Sequence, residues 1–163
     1  MSADAPCPLC EASRQAAAGA HEALIASLDE THVLLGENQG CRGWCVLVLR
    51  EHAEHMDAMP AERQARIFAE VARVARAIRK VFPGSGAGGG PPRINYECLG
   101  NLVAHVHWHV IPRHADDPMP TQAVWGWNAE QLRGRLGPGQ REDLIERLRR
   151  AMGTKTPAGG GRS

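Results

Sequence analysis

The chain has 163 residues, 43% of them hydrophobic and 23% charged, with a formal net charge of +1. That length suits one domain around one core, and the near-neutral charge excludes the basic coat of a nucleic-acid binder or a membrane-surface protein. No apolar run approaches the roughly 18–20 residues that span a bilayer, and the start "MSADAPCPLC" is no secretory leader. Five cysteines, an odd number, argue for reduced thiols or metal ligands over a disulfide framework, so the expected compartment is the cytoplasm.

In chain order, Cys7-Pro-Leu-Cys10 is followed by a polar, Ala-rich stretch to Glu30 that reads as a short helix and a loop. "THVLLGE" (31–37) and "WCVLVLR" (44–50) read as strands, and the Gly-rich "NQGCRG" between them makes a hairpin. Ile67, Val71, Val74, Ile78 and Val81 recur every three or four residues, which predicts an amphipathic helix from about 60 to 82, opened by Pro60 and Glu62 and stopped by Pro83-Gly84. "GSGAGGGPP" (84–92) is expected to be a weakly ordered connector. "RINYECL" (93–99) and "HVHWHVIPR" (105–113) read as two further strands joined by a turn at Gly100-Asn101. "DDPMPTQAVWGW" reads as an ordered loop, 140–152 as a second amphipathic helix, and 153–163 as a tail too polar to fold. One domain over 1–152 is expected. Its class is α+β: an antiparallel sheet of about five strands, the long helix on one face, and a C-terminal helix. The helix should cover the face that carries Val106 and Trp108.

Within "HVHWHVIPRH", His105, His107 and His109 alternate with apolar residues. On a strand that puts three imidazoles on one face, about 6.6 Å apart at Cα, twice the rise of about 3.3 Å. From spacing alone three readings stand: ligands of a catalytic zinc, a nucleophilic histidine with helpers, or a wet sheet face.

The full pattern His-φ-His-φ-His-φ-φ, where φ is apolar, resembles the histidine triad family of nucleotide hydrolases and transferases. "LGN" before it, "IPR" after it, and "CVLVLREH" ending at His52 also resemble that family, over roughly residues 5–130. The branch it most resembles is that of the bacterial diadenosine polyphosphate hydrolases. The resemblance implies a nucleotidyl hydrolase that acts at an α-phosphate, with His107 as nucleophile, protonated His109 or backbone N–H groups as donors to the phosphoryl oxygens, and His105 as an orienting group. No catalytic metal is then required. It also implies that Asn95, Gly100 and Asn101 contact the substrate, that Glu37 or Asn38 binds ribose, and that the protein is a homodimer. Leu102 departs from the family, where a hydroxyl is usual. A transferase or phosphorylase, and a nucleotide-binding module with weak catalysis, are the alternatives.

Cys7 and Cys10 alone are a weak motif. Some relatives, the uridylyltransferases among them, close a structural zinc with such a pair, a later histidine and the first triad histidine. Here those are Cys7, Cys10, His52 and His105, a good tetrahedral set. Cys45 and Cys98 are expected in the core, His55 and His114 in solvent, Arg113 in solvent or against a phosphate, and Trp125 and Trp127 either in the core or over the triad.

Overall fold

The computed structural model describes residues 7–154. Residues 1–6 of the expected domain and 155–163 of the expected tail lie outside the described residues.

An antiparallel sheet of five strands runs in the order β1-β2-β3-β5-β4. Its strands are β1 (Leu24–Ser27), β2 (Thr31–Leu35), β3 (Cys45–Leu49), β4 (Arg93–Glu97) and β5 (His107–Arg113). Four helices accompany it: α1 (Pro8–Ala17), α2 (Ala61–Val81), α3 (Ala129–Arg133) and α4 (Gln140–Met152). The α+β class and the antiparallel sheet are as expected. β1 lies in the stretch expected to be a short helix and a loop. Its four residues carry no alternation, because Leu24, Ile25 and Ala26 are all buried, one side under α1 and the other under α4.

Register decides which face each residue meets. Leu47 lies opposite Trp108 and Cys45 opposite Val110, while Val46 lies opposite His109 and Val48 opposite His107. The first set joins Val33 and Leu35 in the main core, beneath the α2 stripe of Ile67, Val71, Val74 and Ile78. The expected face of the long helix is therefore correct. Each such fully buried aliphatic contributes about 1.5–3 kcal/mol of transfer free energy. α4 closes the same layer with Leu144, Ile145 and Leu148.

The histidine face is only partly open. α1 lays Leu9, Ala12 and Ala16 on Leu34 and Val48 at one end. At the other end Cys41, Trp44, Ile111, Val124 and Trp127 form a second apolar cluster. His107 and His109 sit between these covers.

Several expected details differ. β5 starts at His107, not at 105, and Cys98–Val106 is a long loop rather than a tight turn at Gly100-Asn101. The end of the loop is held by backbone bonds: Val106 N–H reaches Ala53 O at 2.7 Å and Val106 O accepts from Leu49 N–H at 3.1 Å. Residues 84–92 hold a defined turn, with Gly86 N–H to Gly90 O at 2.7 Å. A Cβ on Gly86 would meet Pro91 O at 2.4 Å, so this tight approach requires glycine there. Cys98 is exposed. His114 is buried, with Nδ1 2.7 Å from Ser85 Oγ and Nε2 2.8 Å from Arg42 O. Arg113 is not solvated either, because Asp117 takes its Nε–H at 2.7 Å.

Candidate active site

His107 and His109 line a cavity of about 400 Å³ with Gly36, Glu37, Asn38, Trp44, Val46, Leu99, Asn101, Leu102, Val103 and Trp125. That is within the usual size range of a small-molecule site. Of the residues expected to meet substrate, Glu37, Asn38 and Asn101 line it. Asn95 lies opposite Ile111, two positions along β4 from the Glu97–His109 pair, and is not a lining residue; Gly100 lines a neighbouring groove with His55 and Phe68.

Each imidazole is held in one tautomer by a partner of fixed character. His107 Nδ1 lies 2.7 Å from His105 O. A carbonyl only accepts, so Nδ1 carries the proton and Nε2 keeps its lone pair. His109 Nδ1 lies 3.2 Å from Trp44 Nε1. An indole N–H only donates, so the proton of neutral His109 sits on Nε2. Burial, with a smaller push from His107, lowers the His109 pKa to about 4. The expectation of a protonated His109 is therefore corrected: desolvation keeps it a neutral hydrogen-bond donor.

His105 stands apart from the pair. It precedes β5, is 1% exposed, and gives its Nε2–H to Leu49 O at 2.9 Å. Its bare Nδ1 lies 3.5 Å from both Cys7 Sγ and Cys10 Sγ, and Cys10 Sγ lies 3.4 Å from His52 Nδ1. All four ligand atoms fall within 4.8 Å of one another. A tetrahedral zinc with bonds of about 2.3 Å to sulfur and 2.0 Å to nitrogen has S···N edges of about 3.5 Å. The four side chains fit that ion. The Leu49 carbonyl fixes the ligating tautomer of His105, which is the support that metal-bound histidines usually have, whereas Glu54 lies 3.9 Å from His52 Nε2, beyond hydrogen-bond reach.

The cavity walls are held by contacts that sequence patterns do not show. Gln39 Nε2 donates to Gly36 O at 2.9 Å and Trp44 O at 3.0 Å, and its Oε1 accepts from Gly43 N–H at 2.9 Å, which sets the turn bearing Glu37 and Asn38. α3, started by a capping box of Asn128 and Gln131, receives Gln39 N–H and Gly40 N–H on Arg133 O and Leu132 O at 2.9 and 2.8 Å. A Cβ on Gly40 would meet Gln131 O at 1.9 Å. Arg113 donates to Gln122 O and Met119 O, both at 2.9 Å, besides Asp117. That fixes the segment carrying Trp125, whose ring lies 5.2 Å from His109 and 5.5 Å from Trp44 and whose Nε1–H donates to Glu97. Trp44 thus lines the cavity, and Glu97 and Arg113 hold its Trp125 wall, roles that sequence reasoning missed or placed elsewhere. Only the proximity of aromatics to the triad hinted at them.

A larger cleft of about 730 Å³ near α1 is rich in arginine. Its guanidinium groups are already engaged: Arg14 with Glu11, Arg50 with Leu28 O, and Arg63 and Arg66 with Glu30.

A model of the HIT domain matches residues 19–116. Protein hit of Bacillus subtilis (strain 168) is 30% identical over 107 residues, 64% of this chain and 72% of that protein. The crystal structure of a histidine triad protein from Bradyrhizobium japonicum superposes with a TM-score of 0.67 at 26% identity, covering 79% of this chain and 89% of the other. That of a zinc-bound histidine triad family protein from Mycobacterium smegmatis gives 0.59 at 25% identity, covering 90% and 93%.

Proposed function

Because the chain belongs to the HIT-domain family, whose members bind nucleotides and act as hydrolases or transferases, we propose that it hydrolyses a nucleotide at the α-phosphate through a nucleotidyl-histidine intermediate on His107. The substrate class is a dinucleoside polyphosphate or a nucleotide conjugate. The observation that carries this is the 2.7 Å contact from His107 Nδ1 to His105 O. It leaves Nε2 as a bare lone pair on a ring that lines the cavity, a neutral nucleophile that needs no metal.

The step balances as follows. Nε2 attacks phosphorus and forms an N–P bond while the bond to the leaving group breaks. The leaving group departs with the electron pair and takes a proton from solvent. Positive charge on the imidazole is relieved toward His105 O. His109 Nε2–H and backbone N–H groups stabilise charge on the phosphoryl oxygens. Water then breaks the N–P bond, which restores His107 and releases the nucleoside monophosphate. Glu37 is the better ribose ligand of the two candidates, because a carboxylate accepts from both hydroxyls, and Asn38 and Asn101 supply neighbouring polar contacts. Asn95 and Gly100 act at most from outside the cavity.

Cys7, Cys10, His52 and His105 would hold a structural zinc that fastens α1 to the sheet, as their donor geometry supports. A homodimer and a cytoplasmic location complete the proposal. Among the described residues no helix is long and apolar enough to cross a membrane.

A nucleotide panel assayed with and without inorganic phosphate tests the reading. Release of nucleoside monophosphate at a rate independent of phosphate supports hydrolysis. A nucleoside diphosphate formed only with phosphate identifies a phosphorylase. No turnover of any nucleotide by metal-replete protein rejects the enzyme reading.

A further inference from the structure

Cys7 and Cys10 are the thiols of the chain that are both reachable and paired. Cys41 and Cys45 are wholly buried, and burial pushes both thiols up to about 12, which keeps them protonated and inert. Cys98 is exposed but lies outside the group formed by Cys7, Cys10, His52 and His105. Cys7 and Cys10 are half-buried, with their sulfurs within 4.8 Å of each other. Cys10 also lines the open, arginine-rich cleft beside α1, so a small oxidant in solvent meets Cys10 first.

The backbone between the two suits a bridge. Cys7 stands at the N-cap of α1, and Cys10 N–H donates to Cys7 O at 3.1 Å. Such a turn holds the two Cα atoms within about 7 Å, and a disulfide needs about 4.4–6.8 Å. The bridge would use the same two sulfurs that complete the zinc set, so ion and bridge exclude each other. His52, whose side chain is 45% exposed, and His105 would remain, too few ligands for a closed structural site. The His105 ring, 1% exposed, would then bury a bare Nδ1 without its partner. The carbonyl of that same residue holds His107 Nδ1 at 2.7 Å.

We propose that Cys7 and Cys10 are a reversible oxidation site: a peroxide joins them in an intramolecular disulfide, which releases the zinc and loosens the hold of His105 on His107. This rests on the zinc reading of the four side chains and extends it to the orientation of the His107 ring. Cys10 Sγ, a thiolate while it serves as a ligand, attacks a peroxide oxygen. The O–O bond breaks, and hydroxide leaves into the cleft lined by Arg14 and Arg50 and gains a proton from solvent. Cys7 Sγ then attacks the Cys10 sulfenic sulfur, the S–O bond breaks, and a second hydroxide is protonated. Two electrons pass from the two thiolates to hydrogen peroxide, which ends as two waters. A dithiol reductant reverses the change by thiol–disulfide exchange.

Metal-replete protein titrated with hydrogen peroxide tests this. Released zinc is read with a chromogenic chelator, alongside a thiol count and peptide mapping, with the exposed Cys98 as the gauge of oxidant exposure. Zinc should fall toward none in step with the loss of the Cys7 and Cys10 thiols, and the map should show those two joined. Cys98→Ser should release zinc at the same peroxide level. Nitrogen-15 shifts of His107 should move from one tautomer to a mixture as the bridge forms, and dithiothreitol with added zinc should restore both the metal and the shifts. Zinc and both thiols retained at peroxide levels that oxidise Cys98 would overturn the proposal and leave the zinc reading standing. Zinc lost to sulfinate or sulfonate without a bridge, or His107 shifts unchanged in bridged protein, would also overturn it. A bridge that forms with the same His107 change in protein purified without chelators yet carrying no zinc would support the oxidation site and reject the metal.

Discussion

The indole N–H of Trp44 donates to Nδ1 of His109 across 3.2 Å, tying the residue before β3 to the site histidine on the neighbouring strand β5. This bond selects the His109 tautomer whose other nitrogen carries the proton. Trp44→Phe keeps an aromatic in the cluster, deletes the donor and leaves a small cavity in place of the rest of the indole. We expect kcat to fall about tenfold or more, since one transition-state donor can contribute about 3–4 kcal/mol and mispointing removes part of it, with a smaller change in KM. Nitrogen-15 shifts of His109 should move from one tautomer to a mixture. Unchanged shifts and kcat would mean that the bond does not set the tautomer.

The same buried ring makes stability depend on pH. The folded pKa of His109 is held down to about 4 by burial and then by His107, whereas an unfolded histidine titrates near 6.5. Between those values the unfolded chain binds the extra proton. Stability from this group is therefore full above about pH 6.5 and is lost as pH falls toward 4. Denaturant melts at pH 7 and pH 4.5 should show a smaller difference for His109→Asn than for wild type. An equal difference in both proteins would assign the acid sensitivity to other groups.

Metal removal should act on both ends of His105. Its ring is the proposed ligand and its carbonyl orients His107. Chelation, or Cys10→Ser, should take zinc from about one per chain toward none, lower Tm by more than about 5 °C, and reduce kcat more than it weakens nucleotide binding. Protein that is fully folded and active with far less than one zinc per chain would remove the metal from the account.

Arg113 and Asp117 form an ion pair with side chains 10% and 2% exposed, whereas Arg14 and Glu11 pair with both largely in solvent. Arg113→Ala leaves a buried carboxylate without a partner and frees the segment that carries Trp125. It should cost about 3–5 kcal/mol, while Arg14→Ala should cost less than about 1 kcal/mol. Chemical denaturation of both variants checks the contrast, and comparable losses would contradict the burial argument.

Legibility tracked how local the physics was. The α2 stripe and the run from Cys45 to Leu49 were plain, because one period governs each and each buries a full face. β1 was hidden because both its faces are buried, which erases alternation. The break before β5 was hidden because the position of His105 is set by thiols far away in sequence and by a carbonyl on β3. The four metal ligands were nameable only through the family pattern, and the structure brings all four together. Arg113 and His114 were misplaced in solvent because their partners, Asp117, Ser85 and the Arg42 carbonyl, carry no sequence signal. Protonated His109 failed for a related reason: burial by Trp44 and Trp125 is a tertiary property.

The central claim is that His107 Nε2 takes the nucleotidyl group, and rapid acid or alkaline quench of the metal-replete protein with labelled substrate tests it most directly. Peptide mapping should place a phosphoramidate-linked nucleotide on the peptide that carries His107, at an amount that rises within one turnover, and no label should remain on His107→Ala protein, whose turnover should be abolished. Substantial turnover by a verified His107→Ala protein, or label on a different residue of the wild-type chain, would contradict the account.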